Sequence, residues 1–368
     1  MDEITTLSKR EQRRLKKEAR LNPEDTDNTK KEALVITILS IGLAVAFIVS
    51  LGIGRYPVSI KDILIILKDF FFGTSDYEGN IQSVTVVTLI RLPRLMMCVL
   101  VGAGLSAGGA AFQGLFRNPM VSPDILGVTT GASVGACIAM LLGFSTITIQ
   151  LLSFGFGIAA VLLVVGLASA LGKGNPKVLM MILAGMVIGS LFNSVNAIIK
   201  YLALDTENKL AEITFWLMGS FSKSVSYQNV KILLVTFLLG GIPLLLTRWR
   251  INVLAFGEEE AAAMGVDTKK LQYLIIACST LMTSSSVSMV GNIGWVGLTL
   301  PHITRLMVGP NYKVLMPTTM LSGALFMVIV DDIARTITAS EIPIGVLTSL
   351  IGAPIFIFLM FRGKRAWV

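Results

Sequence analysis

The sequence predicts an all-α polytopic membrane protein with about ten transmembrane helices. Three observations carry this. Of 368 residues, 54% are hydrophobic, and mean hydropathy is +0.76. Only 15% are charged, where a soluble domain carries about 25%. The apolar residues also gather in charge-poor runs near the ~20 residues that cross a bilayer. A chain this apolar cannot hide its surplus in one water-facing core. That excludes a soluble enzyme, a disordered protein and a secreted disulfide scaffold. Cys98, Cys137 and Cys278 sit singly inside apolar runs and read as small buried hydrophobes. The single histidine, His302, makes no metal site without other ligand types.

The elements follow in order. Residues 1–33 form a polar tail whose basic stretch 9–20 (KREQRRLKKEAR) suits a helix lying on the membrane surface. The first apolar run starts too far in for a cleavable signal peptide. Residues 33–54 are the first span, and the charged segment 55–90 is an external loop with a short helix. Residues 95–116 are the second span. The uncharged run 125–172 holds two more, turning near 143–148, and 178–199 is the fifth. Residues 203–225 are polar and 232–247 are the sixth span. The loop 248–270 carries too much charge for lipid. Spans at 271–290, 294–308 (short and broken by Pro301), 314–330 and 344–361 complete ten, within one transmembrane domain, 34–365.

Orientation follows from Lys and Arg in the loops. With both termini cytoplasmic, 21 of the 31 basic residues fall on the cytoplasmic side. The net charge of +8 then divides into +1 on the tail, +7 on the other cytoplasmic segments and zero outside. It is a topology signal, and no nucleic-acid partner is expected.

A few polar segments carry the function. Arg91-Leu-Pro-Arg94 opens the second span from outside, and Arg335 lies just past the ninth in Asp331-Asp-Ile-Ala-Arg335. Two readings fit these arginines: snorkelling at a span end, or an exposed cationic patch for an acidic partner. Residues 114–127 form a tight cytoplasmic turn broken by Pro119 and Pro123. Gly104/Gly108 and Gly131/Gly135 are small-xxx-small pairs for close helix packing. In the charged loop, Leu254 to Gly265 reads as a short helix. Gly257 precedes it, Glu258, Glu259 and Glu260 fill its first turn, Ala262 smooths its surface and Gly265 ends it. It is either a solvated surface helix or one presented to a cytoplasmic partner. In the fifth span Ser190, Asn193, Asn196 and Lys200 form one polar stripe, for a wet path or for interhelical hydrogen bonds. Gln113 near the end of the second span is similar.

The absences narrow the function. There is no GxxxxGK[ST]; Gly172-Lys173-Gly174 lacks the spacing. There is no HExxH and no GxSxG. Acids within the spans are too few for a proton or sodium relay, which disfavours a stand-alone secondary transporter, channel or membrane enzyme. The energy for active transport is expected from another chain.

These residues together resemble the FecCD family, permease subunits of binding-protein-dependent ABC importers. The segments that carry the resemblance are RLPR at 91–94, GAGLSAGGAAFQGLFRNPMVSPDILGVTTGAS at 102–133, LAFGEEEAAAMGV at 254–266, VGLTLPHITRLMVG at 296–309 and DDIARTITASEIPIGVLTSLIGAPIFIFLM at 331–360. The resemblance implies a BtuC-like fold with inverted repeats over spans two to five and seven to ten. It implies a permease homodimer or heterodimer, two cytoplasmic ATPase subunits that hold ATP and magnesium, and an extracellular substrate-binding protein. The chain itself is then no enzyme and binds no cofactor or metal. Arg91, Arg94 and Arg335 match docking arginines. Leu254, Gly257, Glu258, Glu259, Ala262 and Gly265 match the ATPase-coupling segment. Ser190, Asn193, Asn196 and Gln113 fall to the translocation path. The cargo class is a metal chelate, iron-siderophore first, with haem and cobalamin next, and the location is a prokaryotic plasma membrane. The family's usual Gly-Pro-Ile-Gly is Gly291-Asn-Ile-Gly294 here.

Overall fold

The computed structural model describes residues 23–171, 177–204, 206, 208–222, 224–338 and 340–363. The basic stretch 9–20, Lys173, Lys364 and Arg365 lie outside these. The helices in chain order are α1 (Pro23–Gly52), α2 (Ile60–Phe72), α3 (Ile81–Leu115), α4 (Val128–Leu141), α5 (Thr146–Leu171), α6 (Lys177–Leu202), α7 (Lys209–Leu217), α8 (Tyr227–Leu254), α9 (Glu258–Ala263), α10 (Thr268–Val290), α11 (Val296–Val308), α12 (Tyr312–Thr336) and α13 (Ile344–Gly363). Seven of them, α1, α3, α5, α6, α8, α10 and α12, are long and apolar enough to cross a membrane. The shorter α4, α11 and α13 occupy the remaining expected spans. Alternation puts the start of α1, the α9 loop and the end of α13 at one face, here the near face. Helices α2 and α7 and the α12–α13 connection lie at the far face.

Two boundaries differ from the sequence expectation. Helix α3 begins at Ile81 and runs 35 residues, so Arg91 and Arg94 lie inside it and not at its mouth. Its Val86–Arg91 turn is a π-helix, in which the Leu92 N–H donates to Val87 O. Pro93 explains the slip. Its ring clashes with the carbonyl four residues back and it has no N–H to give, so the ladder widens by one residue. The 203–225 segment, expected as a polar connection, holds α7.

Helix α3 is the central packing post, buried from the level of Val101 down to Leu115 on nearly every side. Small residues make that possible. A Cβ on Gly102 would lie 2.2 Å from Gly323 O of α12, and one on Gly323 would lie 2.3 Å from Gly102 O. Lower down, Gly109 rests on the Gly297 backbone of α11. Backbones this close gain dispersion contact that larger side chains would block.

Helix α4 starts inside the bundle. Gly131 packs on Phe156 and Ala160 of α5, and Gly135 on Leu152. Extrapolating at 1.5 Å per residue, α4 begins about 15 Å short of the near end of α5. The 117–127 segment therefore folds back inward, with Ile125 O against Gly185 of α6. Helix α11 also starts within the protein, where Gly297 meets Leu105 and Gly109. A short second helix in each half, entered by a re-entrant segment, fits the implied inverted repeat. Ser133 of α4 and Asn292 before α11 join the two devices, Ser133 Oγ lying 2.9 Å from the Asn292 side-chain amide.

Candidate functional site

At the far face the three arginines meet, but not as an exposed patch. Arg91, Arg94 and Arg335 are 4%, 5% and 7% exposed. The expected cationic surface is corrected here: each guanidinium is engaged within this chain. Arg94 donates from Nε and Nη2 to Asp331 (2.8–3.0 Å), and from Nη1 and Nη2 to Glu341 (2.9 and 2.8 Å). Arg335 pairs with Asp332 and donates to Ser50 O at 2.5 Å. Arg91 donates to Leu51 O at 2.6 Å and Tyr56 O at 2.5 Å. Arg91 and Arg335 thus cap the orphan carbonyls at the end of α1. The physical reason for the burial is charge balance: Asp331, Asp332 and Glu341 match the three cations, so removal from water is tolerated. The external arginine left exposed is Arg55.

Beside this cluster lies a far-face cavity of about 490 Å³, walled by Arg55, Gln150, Glu212, Trp216, Ser222 and Ser288 among others. Glu341 lines it too. Burial works against the charge on Glu341, but the hydrogen bonds and charge of Arg94 outweigh it and hold the carboxyl below its usual range.

At the near face the short helix expected from the sequence is present as α9. Helices α8 and α10 extend into the expected loop, leaving 255–267 between them. Gly257 has φ +132° and ψ 160°, a region open in practice only to glycine. It is what lets the chain turn from α8 into α9. Leu254 and Ala261 are buried and fix the helix from below. Glu258, Glu259, Ala262 and Gly265 are exposed. Gln272 Nε2 donates to Glu258 Oε1 at 2.8 Å, tying α9 to α10. Asp267 caps α10 by accepting the Lys270 N–H, and that hydrogen bond lowers its carboxyl pKa. Sequence reasoning passed over Phe256 and Met264, which are 71% and 50% exposed on either side of α9. Two bare apolar side chains in a charged loop were the available signal.

The polar stripe of α6 divides. Ser190 and Asn193 are exposed, Lys200 is half-buried, and Asn196 is buried. The single-stripe expectation is corrected by geometry: Ser190 and Asn196 lie about 120° apart around the helix with Asn193 midway, so the stripe is wide enough for its Asn196 edge to turn inward. Gln113 is also corrected as a path residue. It is buried, and its Nε2 donates to Leu298 O across the α3–α11 contact. The exposed face of α6 continues through Met186, Val187, Leu191 and Ile198. An open cavity of about 690 Å³ lies between the end of α7, Asn292 and the start of α13. His302 sits in the core beside Phe356, ring centroids 6.2 Å apart. Among the described residues no group of three His, Cys, Asp or Glu could hold a metal ion.

The fold and these sites have relatives. The sequence pattern of the FecCD transport family matches residues 42–362. A molybdate import system permease of Haemophilus influenzae is 41% identical over 89% of this chain and 95% of its own. A Helicobacter pylori protein named as a probable iron chelatin transport system permease is 37% identical over 78% of this chain and 86% of its own. A solved inward-facing structure described as a metal-chelate type ABC transporter superposes with TM-score 0.79 at 38% identity, covering 90% of this chain and 99% of that one. With the family pattern spanning most of its length, the chain belongs to the FecCD transport family of ABC importer permeases.

Proposed function

We propose that this permease moves a metal chelate, an iron-siderophore first, across the plasma membrane by alternating access driven by ATP on partner subunits. What supports the cargo class is the iron chelatin permease relative together with the metal-chelate type structure. The exposed Ser190 and Asn193 among apolar neighbours suit it, because hydroxyl and amide groups contact a bulky chelate without trapping it. The near face is then cytoplasmic. Phe256, Glu258, Glu259, Ala262 and Met264 form the surface offered to each of two ATPase subunits, which hold ATP and magnesium; this chain holds no cofactor. The exposed face of α6 faces the path in a dimer with an identical or sister permease. The far face receives the binding protein near Arg94 and Arg335, where an acidic side chain would exchange with Glu341.

A second reading, import of molybdate, rests on the Haemophilus influenzae relative. One experiment separates them. The permease is reconstituted with its ATPase and binding protein, and uptake of radiolabelled ferric siderophore is compared with that of molybdate. ATP-dependent siderophore uptake supports the first reading. Uptake of molybdate alone replaces it with the second.

A further inference from the structure

The far-face helix α2, Ile60-Lys-Asp-Ile-Leu-Ile-Ile-Leu-Lys-Asp-Phe-Phe-Phe72, has an outer side that none of the described residues covers. It is capped at both ends. Ser59 accepts the Asp62 N–H, and Gly73, at φ +66°, donates its N–H to Asp69 O. Its axis lies along the membrane face. Ile63 near one end touches the Gly52 region at the far end of α1. Phe70 near the other stacks on Tyr227 at the far-face start of α8, ring centroids 6.1 Å apart and 15° from parallel. Contacts to the ends of two spans at one face hold α2 in the plane of that face.

The helix sorts its side chains into arcs. Ile63 and Ile66 are buried against the protein. At about 100° per residue, Leu67, Ile60, Phe71 and Leu64 fall in the next arc, about 60° wide. Ile60, Leu64 and Phe71 there are 55%, 53% and 66% exposed, and Phe72 at the helix end is 80% exposed. Lys68 and Lys61 border that arc. Asp62 and Asp69 lie beyond, on the opposite side, held by local hydrogen bonds to Ser59 and to Thr74 and the Asp76 and Tyr77 amides. An apolar arc bordered by lysines with acids on the water side is the layout of a helix lying in a lipid interface. The bare apolar surface also continues onto the top of α3, where Ile81, Leu89 and Ile90 are exposed.

We propose that α2 is an in-plane membrane anchor, its Ile60–Leu64–Phe71 flank seated at the acyl boundary of the outer leaflet. The attraction is apolar. Residues 60–78 carry Lys61 and Lys68 against Asp62, Asp69, Asp76 and Glu78, so no net positive charge draws α2 to anionic headgroups. The anchor fixes the height of the 53–59 connection, whose Tyr56 carbonyl takes the Arg91 guanidinium.

The test uses the full-length protein in phosphatidylcholine nanodiscs. Phe71→Cys and, separately, Leu64→Cys are labelled with an environment-sensitive fluorophore. The native cysteines are buried, and unmutated protein gives the labelling background. Glu78→Cys is the water-side control. Nitroxide on the lipid acyl chain is expected to quench positions 71 and 64 severalfold more than position 78, with iodide showing the reverse order. Adding phosphatidylglycerol should leave both patterns unchanged. Iodide quenching at 71 and 64 equal to that at 78 overturns the proposal. So does shielding from both quenchers, which would mean a protein covers the helix, and so does lipid quenching that appears only with phosphatidylglycerol.

Discussion

Arg94 on α3 forks between Asp331 on α12 and Glu341 in the connection to α13, joining three elements through one guanidinium. Asp331 is fully buried. Removing Arg94 therefore leaves Asp331 only its longer 3.7 Å contact to Arg335 inside the protein, and breaking a buried pair typically costs about 3–5 kcal/mol. Arg94→Leu should lower the midpoint of thermal aggregation in detergent sharply. Arg94→Lys should rescue little, since a point charge cannot serve both carboxylates. The double variant Arg94→Leu with Asp331→Leu should recover much of the loss. A double variant no better than the single would show that the pair is not the source of the effect.

Glu341 makes this junction pH-sensitive. Its folded pKa is depressed by Arg94. A depressed carboxylate contributes stability that is present above its unfolded pKa, about 4.3, and is lost as pH falls through the folded value. A spin label at Ser340→Cys should therefore gain mobility only in that acid range. Glu341→Gln should give the mobile spectrum already at neutral pH. An immobile label in that variant would place the restraint elsewhere.

The near-face turn depends on Gly257. At φ +132° an alanine is strained by about 1–3 kcal/mol, and its Cβ would also meet the Glu260 carboxylate. Gly257→Ala should leave the spans folded while reducing co-purification of the ATPase. Glu258→Lys should do the same by charge, and Phe256→Ala by loss of an apolar contact. Glu258 and Phe256 are at the surface, so expression of those two variants should hold. Unchanged association in all three would remove the coupling role of α9.

Much of this molecule could be read without coordinates, and the limits have physical causes. Spans and the α9 turn are local: hydropathy over ~20 residues and a glycine before three acids suffice. The burial of Arg94 is not local, because its partners Asp331 and Glu341 lie 237 and 247 residues away. The polar stripe of α6 failed through angle, since the separation of about 120° between Ser190 and Asn196 was already implicit in its spacing. The early start of α3 was hidden by Pro93, which ordinarily ends a helix and here widens one turn. Helix α2 was legible only as a short helix in a loop; its lipid-facing arc became visible once Ile63 and Phe70 fixed which side faces the protein.

Glycines along α3 test how much of the fold rests on backbone contact. Gly102 and Gly323 oppose each other, and a methyl on either would overlap the partner's carbonyl at 2.2–2.3 Å. Backbone cannot rotate away as a side chain can, so α3 and α12 must separate along their length. The Arg94–Asp331 pair lies on the same two helices, about two turns further toward the far face, and would be pulled apart with them. Gly102→Ala and Gly323→Ala should each cost several times the ~1 kcal/mol typical of ordinary substitutions. Gly166 on α5 is the control. A Cβ there meets nothing within 4 Å, and alanine favours a helix interior over glycine by up to about 1 kcal/mol. Gly166→Ala should therefore be neutral or stabilising in the same thermal assay. If Gly102→Ala matched it, the close approach of α3 and α12 would not be what holds the centre of the bundle.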